Sequence, residues 1–254
     1  TGSGTVTNVT LKRIGVSADS TLSNVYLFDG ATRLTDAASV SNNGQITFNV
    51  PAGVFTVNGS RTISVRSDIA NNTSGQTVGV ELVSFTTASG VTTVNLMGNL
   101  HTVANPGTLA SVSAGSITPS GAILNPGANV TVWQSTLTVG TRDVHMKRVA
   151  FRNIGSAPAS AFANFKLFVN GVEVGTAAGL DANGFVTFDL MSNPVNLQSG
   201  SRILRLDADI VSGASRTVQF SIRNAADVDF MDTNFGVNIT PVSAPWTATA
   251  STIS

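Results

Sequence analysis

Apolar and polar residues alternate along most of this chain, in short stretches that end at glycine, asparagine, aspartate or proline. Val25 and Leu27, for example, are followed by the turn signal Asp29-Gly30. Because successive side chains of a strand point to opposite faces of a sheet, this pattern predicts short β-strands joined by tight turns. No stretch has the period of an α-helix, apart from a turn near residues 157–163. Further strands are predicted at residues 46–50, 62–69, 77–85, 91–97, 186–190, 203–210, 217–222 and 235–239.

The same pattern occurs twice. Turn residues and apolar positions recur roughly 140 residues later, which is typical of a duplicated structural unit and not of a duplicated active site. The first copy comprises residues 12–16, 24–30, 43–48, 59–61 and 67–70, and the second comprises residues 147–151, 164–171, 183–188, 200–202 and 208–211. With about seven short strands in each copy, the predicted fold class is all-β, with two tandem immunoglobulin-like β-sandwich domains.

Both copies contain a slip in the alternation. The apolar residues before Lys12-Arg13 and those after it have opposite parity, and the same is true around Lys147-Arg148. One extra residue at such a point returns the apolar side chains to the buried face, as a β-bulge does. We therefore predict a bulge at each pair of basic residues.

Turn-rich segments divide the chain. Proline and glycine near residues 105–107, 119–121 and 125–127 separate the copies, so we predict one repeat over residues 1–107 and a second over residues 108–245. The remaining residues, 246–254, are similar to the start of the second repeat. We expect this strand to lead to a further repeat or to pair with a neighbouring subunit, with Trp246 and Ile253 as its assembly residues. The first residue is Thr1 and the last, Ser254, falls within a strand-like pattern, so we interpret the sequence as part of something longer.

Composition limits the function. Charged residues make up 11% of the 254 residues, apolar residues make up 42%, and 14 basic residues balance 14 acidic ones. Such a charge-poor, neutral chain has no electrostatic footprint for nucleic acid. Cysteine is absent, and no apolar run is long enough to span a membrane. The composition is typical of an exported, β-rich protein, so we expect an extracellular, cell-surface location.

No motif indicates an enzyme. His101 and His145 lie near no other metal-ligating or nucleophilic pattern, and no nucleophile elbow, phosphate loop or dinucleotide fingerprint is present. Asp209 corresponds to Asp68 of the first copy and is expected to accept hydrogen bonds at a strand end. We therefore predict no catalytic residue and no cofactor, with calcium as the one ion to consider.

Three sets of residues carry weaker signals. Asp227, Asp229, Asp232 and Asn234 fall within one predicted loop, where their oxygens would either bind calcium or remain solvated. Sequons for glycosylation occur at Asn8, Asn58, Asn71, Asn72, Asn129 and Asn238. The aromatic residues Tyr26, Trp133 and Trp246 would either fill cores or form a platform for stacking a sugar.

Residues 11–34, with the sequence LKRIGVSADSTLSNVYLFDGATRL, resemble repeats in large surface proteins of candidate-phyla bacteria (Patescibacteria). The close resemblance covers residues 5–83, and both copies are more loosely similar to the immunoglobulin-like repeats of S-layer proteins and bacterial adhesins. The resemblance implies a surface location and carries no catalytic residue to this chain.

The function we predict from the sequence is structural. With only three lysines to guard its strand edges, the chain is expected to assemble with copies of itself into an S-layer lattice or surface filament, through strand exchange. An adhesin or carbohydrate-binding module, with glycans or a host-cell surface as partner, is the alternative. A third reading is an accessory domain of a secreted enzyme.

Overall fold

The computed structural model describes residues 3–104 and 108–254. Its regular elements are β-strands, apart from short 3₁₀ turns at Asp19–Thr21, Ala159–Ala161 and Ala225–Asp227. The chain is therefore all-β, with several sheets, and consistent with β-sandwich domains. It divides into two compact units, Thr1–Pro106 (unit 1) and Gly107–Ser254 (unit 2). Within the described residues, no helix has the length and apolar character needed to cross a bilayer.

Unit 1 contains a larger and a smaller sheet. Its strands are β1 (Ser3–Ile14), β2 (Leu22–Asp29), β3 (Thr32–Arg33), β4 (Gln45–Asn49), β5 (Phe55–Asn58), β6 (Ser64–Ile69), β7 (Thr77–Thr87), β8 (Gly90–Met97) and β9 (His101–Thr102). The larger sheet has the order β4-β1-β7-β8, with β5 also paired to β1 and β9 to β7. The smaller sheet has the order β3-β2-β6. Val9 and Leu11 of one sheet and Val25 and Leu27 of the other belong to one buried core cluster.

Unit 2 is larger and contains three sheets. Its strands are β10 (Ser111–Thr118), β11 (Ile123–Leu124), β12 (Gly127–Gly140), β13 (Val144–Asn153), β14 (Phe162–Val169), β15 (Val172–Ala177), β16 (Phe185–Asp189), β17 (Val195–Leu197), β18 (Gly200–Ile210), β19 (Thr217–Val218), β20 (Phe220–Ile222), β21 (Val228–Asp232), β22 (Asn238–Ile239), β23 (Trp246–Thr247) and β24 (Ser251–Ile253). One sheet has the order β10-β12-β18-β14-β15 and another β22-β21-β13-β20-β23, with β16 and β17 paired to β13. The third has the order β11-β24-β19.

Aromatic side chains fill the core of unit 2. The rings of Trp133 and Phe151 pack edge to face at 5.1 Å, and Phe220 packs against Phe162 at 5.3 Å and Phe165 at 5.7 Å. Such edge-to-face pairs stabilise a core beyond their area burial. The core brings together residues of both large sheets, so the alternation seen in the sequence is the alternation between core and solvent.

Each unit contains, within itself, a close backbone contact that only glycine allows. A Cβ on Gly15 would lie 2.4 Å from the carbonyl oxygen of Thr77, and one on Gly155 would lie 2.2 Å from that of Thr217. In each unit the threonine hydroxyl accepts a hydrogen bond from the residue after the glycine, at 2.9 Å and 2.8 Å. Both residues of the pair recur at an offset of 140, so the duplication extends to three-dimensional detail.

The offset of 140 residues shows that Lys12-Arg13 is not the counterpart of Lys147-Arg148. Thr7 is the extra residue of a register shift between β1 and β7, and Lys147 is that of a shift between β13 and β21. The predicted bulge at Lys147-Arg148 is confirmed. The one predicted at Lys12-Arg13 is wrong, because β1 pairs regularly with β4 there and the counterpart of Lys147 is Thr7. A second shift against β7, next to Leu11, has its extra residue, Val83, on β7 and not on β1. The two Lys-Arg pairs look alike in the sequence but occupy different positions along β1 and β13, which caused the error.

The hairpin turns are close to those predicted. Asn170 and Gly171 both have positive φ, at 49° and 82°, as a type I′ turn requires. In unit 1, Asp29 pairs with Thr32, so the central residues are Gly30 and Ala31, one position later than predicted. Positive φ at the first of these alone corresponds to a type II′ turn.

The C-terminal segment belongs to unit 2. β24 pairs in parallel with β11 and antiparallel with β19, and β23 pairs with β20. Trp246 and Ile253 are 3% and 1% exposed. The expectation that residues 246–254 leave their own unit differs from the structure, because the side chains assigned to assembly are already packed in this core.

Replacing Gly155 by alanine is expected to destabilise unit 2 by about 1–3 kcal/mol, because the new methyl group would force the backbone at Thr217 to move. Trp133 and Trp246, the two tryptophans of the chain, are both buried in unit 2, so tryptophan fluorescence during urea unfolding monitors this unit. Gly179→Ala is the matched control, since a Cβ there meets nothing within 4 Å. Equal midpoints for the two variants would refute the steric explanation.

Candidate functional site

The acidic residues singled out for calcium lie mostly on a strand. Val228–Asp232 forms β21 and pairs with β13, where the sequence had predicted a loop. Val228, Phe230 and Asp232 are buried, whereas Asp229 is half-buried. Since alternate residues of a strand face opposite sides, Asp229 and Asp232 point away from each other.

Asp232 is a fully buried structural carboxylate. Its oxygens accept hydrogen bonds from the backbone N–H of Ala110 at 2.8 Å, the Arg142 guanidinium at 2.9 Å and the N–H groups of Asn234 and Phe235 at 2.9 and 3.2 Å. Burial alone would raise the pKa of Asp232, but these donors favour the charged form and lower the pKa to about 2. The carboxylate thus links Ala110, the residue just before β10, to the turn between β21 and β22.

The other two aspartates have separate partners. Asp227 accepts a hydrogen bond from the Asn224 N–H at 2.9 Å and caps the last 3₁₀ turn. Asp229 lies 3.9 Å from the guanidinium of Arg148, which is fully buried on β13 and donates to the Ala226 carbonyl at 2.8 Å. A buried arginine needs such a countercharge, so this acid stabilises the core.

These four residues are therefore not brought together as a calcium site. Asn234 contacts Asp232 through its backbone N–H. This N–H group is a hydrogen-bond donor and is not a cation ligand. Over residues 3–104 and 108–254, no cluster of three or more histidine, aspartate or glutamate side chains has the arrangement of a metal centre.

A second polar cluster surrounds Asp209 on β18. Its two oxygens accept from the Asn129 N–H at 2.8 Å and the Asn164 amide at 2.7 Å, and Lys166 donates to the Asn129 side chain at 2.8 Å. The Asn164 amide is the largest cause of a lowered pKa for Asp209, followed by the Asn129 N–H. In unit 1, Asn24 donates to Asp68 in the same way at 2.9 Å. The recurring aspartate thus holds neighbouring strands.

The remaining candidates are dispersed. Tyr26, Trp133 and Trp246 are each at most 3% exposed, so they do not form a sugar platform. His101 is exposed on β9 and His145 half-buried on β13. Of the sequons, Asn58, Asn71, Asn72 and Asn238 are exposed, Asn8 is half-buried within β1, and the Asn129 side chain is exposed but accepts from Lys166.

Unit 1 contains a polar cleft that the sequence did not reveal. It has a volume of about 840 Å³ and lies between β4 and the segment that precedes it. Its lining is mostly hydroxyl and amide groups, from Thr35, Ser39, Ser41, Asn42, Asn43, Gln45, Thr47 and Asn49, together with Asp36. Phe48, Val50, Ala37 and Ala38 contribute the apolar part of the lining.

The length of one strand explains why the cleft is in unit 1. β3 has two residues, whereas β15 after the corresponding hairpin has six. In unit 2, Gly175 of β15 packs so closely on Phe188 of β16 that a Cβ would lie 3.0 Å from its ring. Phe48 is the counterpart of Phe188, and no strand of such length crosses it in the described part of unit 1.

Unit 1 also has a long unprotected edge. Within the part of the chain that the structure describes, residues 90–102, which include β8 and β9, pair with β7 alone, and they are exposed throughout. Val91, Leu96 and Met97 are 70%, 63% and 67% exposed. This stretch contains no lysine, arginine, aspartate or glutamate. An exposed apolar edge strand without charges is the feature that natural sheets usually avoid, because it can pair with another strand.

The alternation predicts β8 but not its exposure. No predicted strand covers β12, the longest of the described strands, although Val130 and Val132 and then Leu137 and Val139 alternate within it. Without β12, the difference between the units could not be seen, since β12 has no counterpart in the described residues of unit 1.

No protein-family model and no curated protein matches the chain. At 13% identity and a TM-score of 0.29, the chain is similar to a protein from Corynebacterium diphtheriae described as membrane anchored, over 96% of this chain and 58% of that one. It is similar to structures named BspA_C_WT and BspA_C_mut at 7% and 8% identity, each with a TM-score of 0.24, over 99% of this chain and 84% of theirs. The chain thus spans less than two thirds of the first protein's length, and likeness at these scores carries no functional argument.

Stability of unit 2 is expected to fall as the pH decreases from about 4 to about 2, because the pKa of Asp232 is lowered to about 2 from 3.8. A lowered pKa stabilises the fold above the ordinary value, and the stabilisation is lost as the carboxylate becomes protonated. Asp232→Asn should unfold at lower urea at pH 7 and show a flatter acid dependence in that interval. Glu173→Gln, at an exposed position on β15, is the control. If Asp232→Asn retains the wild-type acid profile, Asp232 is not the responsible group.

Proposed function

We propose that this chain is a structural protein of the cell exterior, without enzymatic activity, that assembles with copies of itself through tandem immunoglobulin-like β-sandwich repeats. The observation that carries this proposal is the edge formed by residues 90–102, which is exposed, apolar and uncharged. The resemblance of residues 11–34 to surface proteins of candidate-phyla bacteria supports the same role and location. The recurring glycine contacts at Thr77 and Thr217 support repeats of one kind.

The free energy of adding one strand to this edge favours an assembly held by many weak joints over one held by a single strong joint. A strand added to this edge would form about six backbone hydrogen bonds, each worth roughly 1 kcal/mol net. Association costs about 4–15 kcal/mol in lost freedom, so the hydrogen bonds alone are close to balance. Burial of Val91, Leu96 and Met97 supplies the remainder, since exposed apolar area is removed from water. Such a joint gives concentration-dependent assembly, as a lattice or filament requires.

Strand exchange through residues 246–254 is the less favoured route. β24 would have to leave both β11 and β19, and the pocket of the buried Ile253 would be vacated. The edge at residues 90–102 can pair without disturbing any existing strand.

Changing Val91 and Leu96 together to lysine is expected to abolish assembly, because two charges on an edge strand oppose pairing and must otherwise be desolvated. Light scattering after size exclusion and electron microscopy measure the result. Val16→Lys with Val211→Lys is the matched control, since both valines are exposed, 82% and 61%, and lie outside strands. A wild-type chain that stays monomeric at high concentration, or a strand variant that assembles like the control, would contradict the proposal.

Glycan binding is the second candidate, and the polar cleft of unit 1 favours it. Amide and hydroxyl groups such as those of Asn42, Asn49 and Thr47 match the hydrogen-bonding groups of a sugar. A glycan array probed with the full chain should give hits that the double variant Asn42→Ala, Asn49→Ala loses by about tenfold or more, since two hydrogen bonds are removed. An array without hits for the wild-type chain would exclude this function.

A further inference from the structure

The smaller sheet of unit 1 has an open side, and in unit 2 a further strand closes the corresponding side. β6 corresponds to β18, because Asp68 and Asp209 accept from Asn24 and Asn164 in the same way, at 2.9 and 2.7 Å. The backbone contacts that follow also match, with Ala70 donating to Thr21 at 3.0 Å and Val211 donating to Ala161 at 2.9 Å. β18 is paired on both sides, by β12 and β14. Over residues 3–104 and 108–254, β6 is paired by β2 alone.

Burial along the two strands shows the effect of that missing neighbour. In β18, Leu206 and Ala208 are fully buried and Ile210 is 2% exposed. Their counterparts in β6, at the offset of 141 residues that relates Asp68 to Asp209, are Val65 and Ser67, both half-buried, and Ile69, which is 44% exposed. The same core positions therefore remain partly in water in unit 1.

β12 shows what closes this side in unit 2. It pairs with β18 over residues 127–139, with Trp133 opposite Leu206 and Leu137 opposite Arg202. Trp133 and Leu137 are 1% exposed and fully buried, respectively, so the strand adds a row of core side chains as well as a hydrogen-bonded ladder. β12 then leads through residues 141–143 into β13, the counterpart of β1.

We infer that the free edge of β6 is a docking site for an added antiparallel β-strand of the β12 type, supplied by another repeat of this kind. The occupant is an extended segment with alternating apolar residues, an aromatic one of which lies opposite Val65 as Trp133 lies opposite Leu206. This inference rests on the proposed assembly function and gives it a second joint, separate from residues 90–102. Backbone pairing would supply affinity, and the apolar row would set the register.

The test supplies the strand in cis to the full chain. A second copy of residues 108–142 is joined ahead of Ser3, so that the added strand runs into β1 as β12 runs into β13. Hydrogen exchange at Val65, Ser67 and Ile69 should slow by about tenfold or more, because exchange follows local opening. The control carries the same addition with Trp133→Asp and Leu137→Asp in the added copy only. The native residues are unchanged in both proteins, so the fold is not put at risk.

The outcomes separate the two proposals. Slowed exchange in β6 with the native addition, but not with the aspartate control, supports the docking site whether or not the chain assembles through residues 90–102. Unchanged exchange with both additions, equal slowing with both, or loss of protection in β18 through displacement of native β12 would overturn it. Light scattering on the wild-type chain tests assembly independently.

Discussion

The backbone hydrogen-bonding capacity of strand edges governs this molecule. Every strand has N–H and C=O groups on two sides, and each side must be paired, covered or left to water. Unit 2 satisfies this requirement around β18 with β12 and β14, and β24 fills the space between β11 and β19. Unit 1 leaves β6 and residues 90–102 paired on one side only among the described residues. The same local design is thus closed in one unit and open in the other.

Polar side chains in unit 2 serve this architecture. Asp232 gathers three backbone N–H groups and Arg142, and Asp209 holds Asn129 and Asn164 on the strands beside it. Asp229 lies beside the buried Arg148. Because each carboxylate is engaged by donors of its own, these acids stabilise the fold where convergent acids would suggest chemistry. The edges and the cleft of unit 1 remain available for interaction.

Much of the fold was predictable from alternation and turns, because both report on backbone geometry one or two residues at a time. Asn170-Gly171 forms the predicted turn, and β6, β7 and β8 lie close to their predicted positions. The acidic cluster was misplaced since aspartate is rare in strands, yet β21 tolerates two where one is buried among donors and the other faces Arg148. The unequal edges depend on strands far apart in sequence, so no local pattern could show them.

The most direct test of this account is hydrogen exchange measured on the wild-type chain over a range of concentrations. In dilute solution the amides of Val65, Ser67 and Ile69, and those of residues 90–102 that point away from β7, should exchange far faster than those of β18, because they face a side on which the described residues place no strand. As concentration rises, residues 90–102 should gain protection while β18 is unchanged. Protection at residues 90–102 that does not vary with concentration would contradict the claim that this open edge is where copies of the chain join.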